Sequence, residues 1–220
     1  TEAAKIAHSH EALLHIGYLR DYNGNEFGRA LDIFLSKYTD VSVKIQQGNH
    51  EELFDLLRTD KTDFVFNDQR RAFSNEYINI ILNISESCIE IAARSPIAQL
   101  EQVTLQDLKN TPCILVSSEA QKNTEQNYYH DVIGFQGDFL FAENLEEARL
   151  LIIGGNGFMI GATSNKFADN SIRCIPLFRD DAPITQTYCA FWKKDNTSYY
   201  VREFANILKA QFENSQSQNH

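Results

Sequence analysis

Hydrophobic and polar positions along this chain switch repeatedly between a two-residue and a 3.6-residue period. Leu14 to Leu19 form a short apolar run that ends in the turn-rich cluster DYNGN. From there Phe27, Ala30, Leu31, Phe34 and Leu35 keep the i, i+3, i+4, i+7, i+8 spacing of one buried helix face. Val41, Val43 and Ile45 alternate with polar residues as a second strand. Gly48 and Asn49 then lead into HEELFDLLR, where Asn49 is placed to cap a helix and Glu52 to reach back from its third position. DFVF at 63–66 is a third strand. Strands joined by helices through short loops predict a βαβαβ unit with parallel strands and right-handed crossovers.

YINIIL at 77–82 and CIEIAA at 88–93 read as two further strands, after which Arg94, Ser95 and Pro96 break the pattern. TLQDL at 104–108 reads as a short capped helix, and CILV at 113–116 starts a second series. That series continues through Ser117, Ser118 and a polar helix to about His130, then a strand in GDFLFA at 137–142. Asn144 with Glu147 repeats the cap pattern before EEARLLII, whose helix is expected to stop at Gly154 and Gly155. Strands are expected in FMIG, RCIPL and TYCAFW, then a final helix with Val201, Phe204, Ala205 and Leu208 on one face and a frayed NSQSQNH tail. Breaks near 94–112 and 178–187 suggest crossovers between two similar α/β lobes. A polar cleft between the lobes, faced by strand C-termini and helix N-termini, is the expected binding place.

Composition narrows the function. The 220 residues carry 20 Lys plus Arg against 30 Asp plus Glu, a formal charge of -10, so the chain as it stands should not coat a phosphate backbone. Its longest apolar stretch, 150–162, is broken by Gly154, Gly155, Asn156, Gly157 and Gly161 and is too short to span a bilayer. Cys113, Cys174 and Cys189 sit in apolar runs like buried free thiols. With Cys88 far from the others in sequence, this points to a reducing cytoplasm with room for one disulfide.

Chemical signatures are nearly absent. The six histidines form no HExxH, no CxxC pair exists, and HSH at 8–10 reads as solvated surface, so neither metal nor cofactor is expected. GGNG at 154–157 follows a helix and precedes a strand, the reverse of a dinucleotide-binding turn. What recurs is a polar residue at each strand-to-helix junction: Arg20, Asp21, Tyr22 and Asn23; Asn49 and His50; Ser117 and Ser118; Thr163 and Ser164. Each has a turn or capping role of its own. Their recurrence at one topological end predicts a receptor for a carboxylate or other small polar molecule.

Four blocks in order resemble the effector-sensing domain of LysR-type transcriptional regulators, similar in fold to type 2 periplasmic solute-binding proteins. They are LHIGYL at 14–19, FLSKYTDVSVKIQQGNHEELFDLLRTDKTDFVF at 34–66, VTLQDLKNTPCILV at 103–116 and NLEEARLLIIGGNGFMIG at 144–161. The sequence departs from the family at Thr39, where proline is usual, in the longer polar loop RDYNGN, and near 162–164, where a proline is missing.

The resemblance implies two Rossmann-like α/β lobes joined by two crossover strands. Residues 13–107 with 187–216 would form the first lobe and 108–186 the second. TEAAKIAHSHEA at 1–12 resembles the end of a linker helix, and the family's DNA-binding winged helix-turn-helix is absent from this sequence. It also implies a small effector as ligand, assembly as a homodimer or tetramer, DNA contact only through the missing domain, and no enzymatic activity. Asp21 and its neighbours, Asn49, and Ser117 with Ser118 fall at the family's ligand-contacting junctions, and Arg20 is the expected carboxylate partner. The alternative reading is an exported solute-binding protein serving a transporter. The linker-like start, the four cysteines and the lack of a lipoprotein cysteine near residue 1 favour the sensor.

Overall fold

A computed structural model describes residues 12–162 and 170–217, in two compact units. Residues 1–11, and with them HSH and nearly all of the linker-like segment, lie outside the described residues, as do Thr163 and Ser164. Ala12 already belongs to a strand.

Unit 1 comprises residues up to Tyr18, then Asn25–Asn83 and Cys189 onward. It contains β1 (Ala12–Leu19), α1 (Glu26–Lys37), β2 (Val41–Gly48), α2 (His50–Arg58) and β3 (Phe64–Asp68) in the expected order. β1 and β3 are parallel with Ile16 opposite Phe64 and Tyr18 opposite Phe66, and β2 is the edge strand beside β1. The first part of β4 (Tyr77–Ala92) and the last part of β11 (Thr185–Lys193) complete this sheet, in the order β4-β11-β3-β1-β2. The C-terminal α5 (Tyr199–Ser217) packs on α1 through its predicted apolar face. Val201, Phe204, Ala205 and Leu208 are all buried, and the Phe204 ring meets Phe27, Phe34 and Phe64 at centroid distances of 5.7, 5.5 and 5.2 Å. Interlocked rings of this kind add to the apolar area that drives the core.

Unit 2 comprises Leu19–Gly24 and Ile84–Tyr188. The rest of β4 pairs antiparallel with β8 (Met159–Ala162) and β9 (Ile172–Arg179); β9 also takes β5 (Val103–Thr104) and β10 (Ala182–Pro183). A separate parallel pair joins β6 (Cys113–Val116) to β7 (Phe139–Ala142). α3 (Lys122–Tyr128) and α4 (Leu145–Gly154) complete the unit. One core cluster surrounds Ile89, Leu108, Phe135, Phe158 and Leu177, and a second joins Ile114, Val116, Ala148 and Ile152. The predicted cap holds: the Glu147 N–H donates to Asn144 Oδ1 at 3.0 Å. Gly155, at φ +80°, ends α4 in the left-handed region as expected.

Four local expectations are corrected. The two runs at 77–82 and 88–93 belong to one strand, β4, because the pleat continues between them without a turn, with Ser85 and Ser87 buried and Ile84 and Glu86 exposed. TLQDL forms no helix: Asp107 Oδ2 accepts from both the Thr104 N–H and its hydroxyl, each at 2.8 Å, so the capping chemistry closes a series of turns instead. Residues 214–217 of the expected tail continue α5. Cys88 and Cys174 are joined in a disulfide between β4 and β9, leaving only Cys113 and Cys189 as buried free thiols.

Candidate ligand site

In unit 2, Arg20 and Asp21 form the turn that ends β1, with the Tyr22 N–H donating to the Leu19 carbonyl at 3.3 Å. Ser117 follows β6 and is held to β7 by its N–H, which donates to the Ala142 carbonyl at 2.9 Å. Its hydroxyl donates to the Ser118 carbonyl at 2.9 Å, and Ser118 stands just before the short 3-10 turn that precedes α3, its carbonyl accepting from the Gln121 N–H at 3.0 Å. These pieces bring Arg20, Ser117 and Ser118 to one depression of about 190 Å³, completed by Lys122, Phe141 and Glu143. The Lys122 ammonium lies 2.5 Å from Glu119 Oε2 and 5.5 Å from the Phe141 ring centroid, which fixes a second cation at the wall.

Asn23 takes another role in the same unit. Its amide donates to Glu90 Oε1 at 2.7 Å, and Glu90 is fully buried on β4. Gly161, on the neighbouring β8, makes room: a Cβ there would collide with the Glu90 carboxylate. Burying a carboxylate is costly unless it is hydrogen-bonded, so the Asn23 amide holds this loop against the strand. Tyr22 is buried and packs edge-on against Tyr188 at 5.0 Å.

Asn49 and His50 belong to unit 1. Asn49 completes the predicted capping box of α2, its N–H donating to Glu52 Oε2 at 2.9 Å, and is buried. His50, 1% exposed, points inward: its Nδ1 lies 3.0 Å from Asp68 Oδ1 and 3.1 Å from the Asp68 carbonyl. Asp68 in turn accepts from Arg70 Nε at 2.6 Å. Burial pushes the Asp68 carboxyl up, but the charges of Arg70 and His50 and their hydrogen bonds outweigh it and hold the group at about 2.

Arg20, Ser117 and Ser118 are therefore gathered in one place, Asn23 and Tyr22 anchor the adjoining loop, and Asn49 and His50 are tied up within their own unit. Lys122 escaped the sequence reading because no periodicity tells which residue of a polar segment faces a strand end. The Asp68–His50 pair escaped because its partners meet only when β3 and α2 are folded together.

Two α/β units, to both of which β4 and β11 contribute, and a small polar depression beside a strand end define a small-molecule-binding domain of the two-lobed, type 2 periplasmic-binding-like class. Residues 7–213 match the LysR substrate binding domain, and the chain belongs to that family. It is an effector-sensing domain of a LysR-type transcriptional regulator, not an exported binding protein. Solved structures share its fold. The reduced form of the OxyR regulatory domain from Pseudomonas aeruginosa superposes with a TM-score of 0.72 at 15% identity, over 90% of this chain and 98% of that one. HinK, a LysR family regulator from the same organism, gives 0.68 at 18% identity over 96% and 74%. The effector binding domain of BenM with its effector benzoate gives 0.69 at 16% identity over 94% and 95%. No curated protein matches the chain.

Proposed function

We propose that the domain senses a small carboxylate, held reversibly at the unit 2 depression, with Arg20 and Lys122 as its cationic contacts and Ser117 and Ser118 as its polar ones. The observation that carries this is the meeting of Arg20 with Ser117, Ser118 and the Glu119-paired Lys122, from two separate chain segments, at one cavity. A guanidinium offers a bidentate fork for a carboxylate, and a lysine beside it adds a point charge. The volume of about 190 Å³ is below the ~300–1,000 Å³ of pockets for drug-sized molecules, which favours a compact metabolite. Benzoate, the effector of the BenM domain, is a carboxylate of this kind.

Reversible binding is the chemistry on this reading. The effector acts by binding one conformer more tightly than another. That bias reaches DNA through a winged helix-turn-helix of the full regulator, which assembles as a homodimer or tetramer in the cytoplasm.

Screening small carboxylates by thermal shift tests this. A hit is expected to raise the wild-type melting temperature, and Arg20→Ala to weaken it on the order of tenfold or more, as loss of a charged hydrogen bond does. Affinity unchanged in Arg20→Ala and in Ser118→Ala would rule the site out.

A further inference from the structure

Unit 1 carries a second cavity, of about 270 Å³, walled by α2, the loop after β3, the start of β4 and the end of β11. Its lining is aromatic on one side. Phe54 stacks on Phe191 at 4.6 Å, and Tyr77 meets both edge-on at 6.3 and 5.9 Å. Phe73, 39% exposed, offers a further ring from the loop.

The charges at this cavity do not balance. Three guanidinium groups line it, and each already faces a carboxylate: Arg58 with Asp55 at 2.9 Å, Arg70 with Asp68 at 2.6 Å, and Arg71 with Glu51. An anion entering here would compete with all three pairs. Glu76 is a fourth carboxylate in the lining, and among the described residues no cation lies within ion-pairing distance of it. Its backbone is fixed: the Glu76 N–H takes the Ser74 hydroxyl as acceptor at 3.2 Å, and its carbonyl accepts from the Lys194 N–H at 3.1 Å. Arg71 already lies over the Phe54 ring, 4.5 Å from its centroid, which leaves Phe73 and Tyr77 as the rings open to a ligand. A carboxylate on a held loop, sharing a cavity with these rings, is a receptor for a positive group with an apolar body.

We infer that this cavity is a second ligand site, separate from the carboxylate depression, and that it takes an organic monoamine: the ammonium on Glu76 and an apolar body, one ring in size, against Phe73 and Tyr77. The site neither uses nor requires the Arg20 group.

Isothermal titration with 2-phenylethylamine and with phenylacetate, which share ring and chain length but differ in charge, tests it. The amine is expected to bind saturably at one site per chain and phenylacetate not to compete for it. Glu76→Gln, an exposed position, is expected to keep the melting temperature of the unliganded wild type and to weaken the amine on the order of tenfold, as removal of a charged partner does. Phenylacetate displacing the amine, an unchanged amine affinity in Glu76→Gln, or no saturable amine binding by about 10 mM would each overturn the inference.

Discussion

Replacing Asp68 by asparagine is expected to destabilise the domain in a pH-dependent way. The carboxylate is 3% exposed and bridges Arg70 on one oxygen and His50 on the other. Its pKa falls from an ordinary 3.8 to about 2 on folding, and at about 1.4 kcal/mol per pH unit this corresponds to about 2 kcal/mol of stability carried by the ionised form. Because the folded value lies below the unfolded one, this contribution is complete above the unfolded pKa, near 4, and drains away as pH falls towards 2. Removing one member of a buried pair also leaves the other's charge poorly compensated, a cost of about 3–5 kcal/mol in other proteins, so a loss of about 2–4 kcal/mol is expected at pH 7. Urea denaturation of wild type and Asp68→Asn, followed by circular dichroism from pH 7 to pH 2.5, measures it. The gap between the two proteins is expected to be largest at neutral pH and to have lost roughly half of its charge-dependent part by pH 3. Equal midpoints at pH 7, or a gap that does not shrink between pH 5 and pH 3, would refute the reasoning.

Other expectations follow from the same structure. The Cys88–Cys174 bond closes a separation of 86 residues, for which chain entropy sets an upper value of about 4–5 kcal/mol. Reduction is expected to lower the urea midpoint, and a midpoint unmoved by reductant would contradict the pairing. Cys189 and Cys113 should resist thiol reagents in the native state: burial, aided by Asp68, pushes Cys189 up to about 12, and burial alone raises Cys113. Rapid labelling of either in native protein would count against that burial. Asn49→Ala is expected to cost about 1 kcal/mol through loss of the α2 cap while leaving carboxylate affinity intact; weakened binding at unchanged stability would return Asn49 to the ligand.

Much of the fold was legible because it rests on local rules. The spacing of Phe27, Ala30 and Phe34 marked the buried face of α1, and Asn49 with Glu52 and Asn144 with Glu147 marked two helix starts that the structure keeps. Where one local signal had two structural outcomes, the reading failed. Thr104 with Asp107 caps turns rather than a helix, and a polar interval inside β4 looked like a break. The breaks seen at 94–112 and 178–187 hold turns and the short strands β5 and β10, whereas packing divides the chain at 18/19, 24/25, 83/84 and 188/189, the last two within β4 and β11.

The site was legible in part. Arg20, Ser117 and Ser118 each follow a strand, and they line one depression, in keeping with the expectation that strand ends converge. At His50 the same rule is silent on the packing: nothing in HEELF reveals that its imidazole turns inward to Asp68, 18 residues away. Thr163 lies outside the described residues. Lys122, and the aromatic and acidic cavity of unit 1, depend on tertiary packing that periodicity does not encode.

The most direct test of effector sensing at unit 2 is hydrogen exchange of the purified domain with and without a carboxylate found by screening. Slower exchange is predicted in the segments around Arg20 and from Ser117 to Lys122, with the α2 segment beyond its cap unchanged. Protection confined to other segments, or none at saturating ligand, would contradict the account.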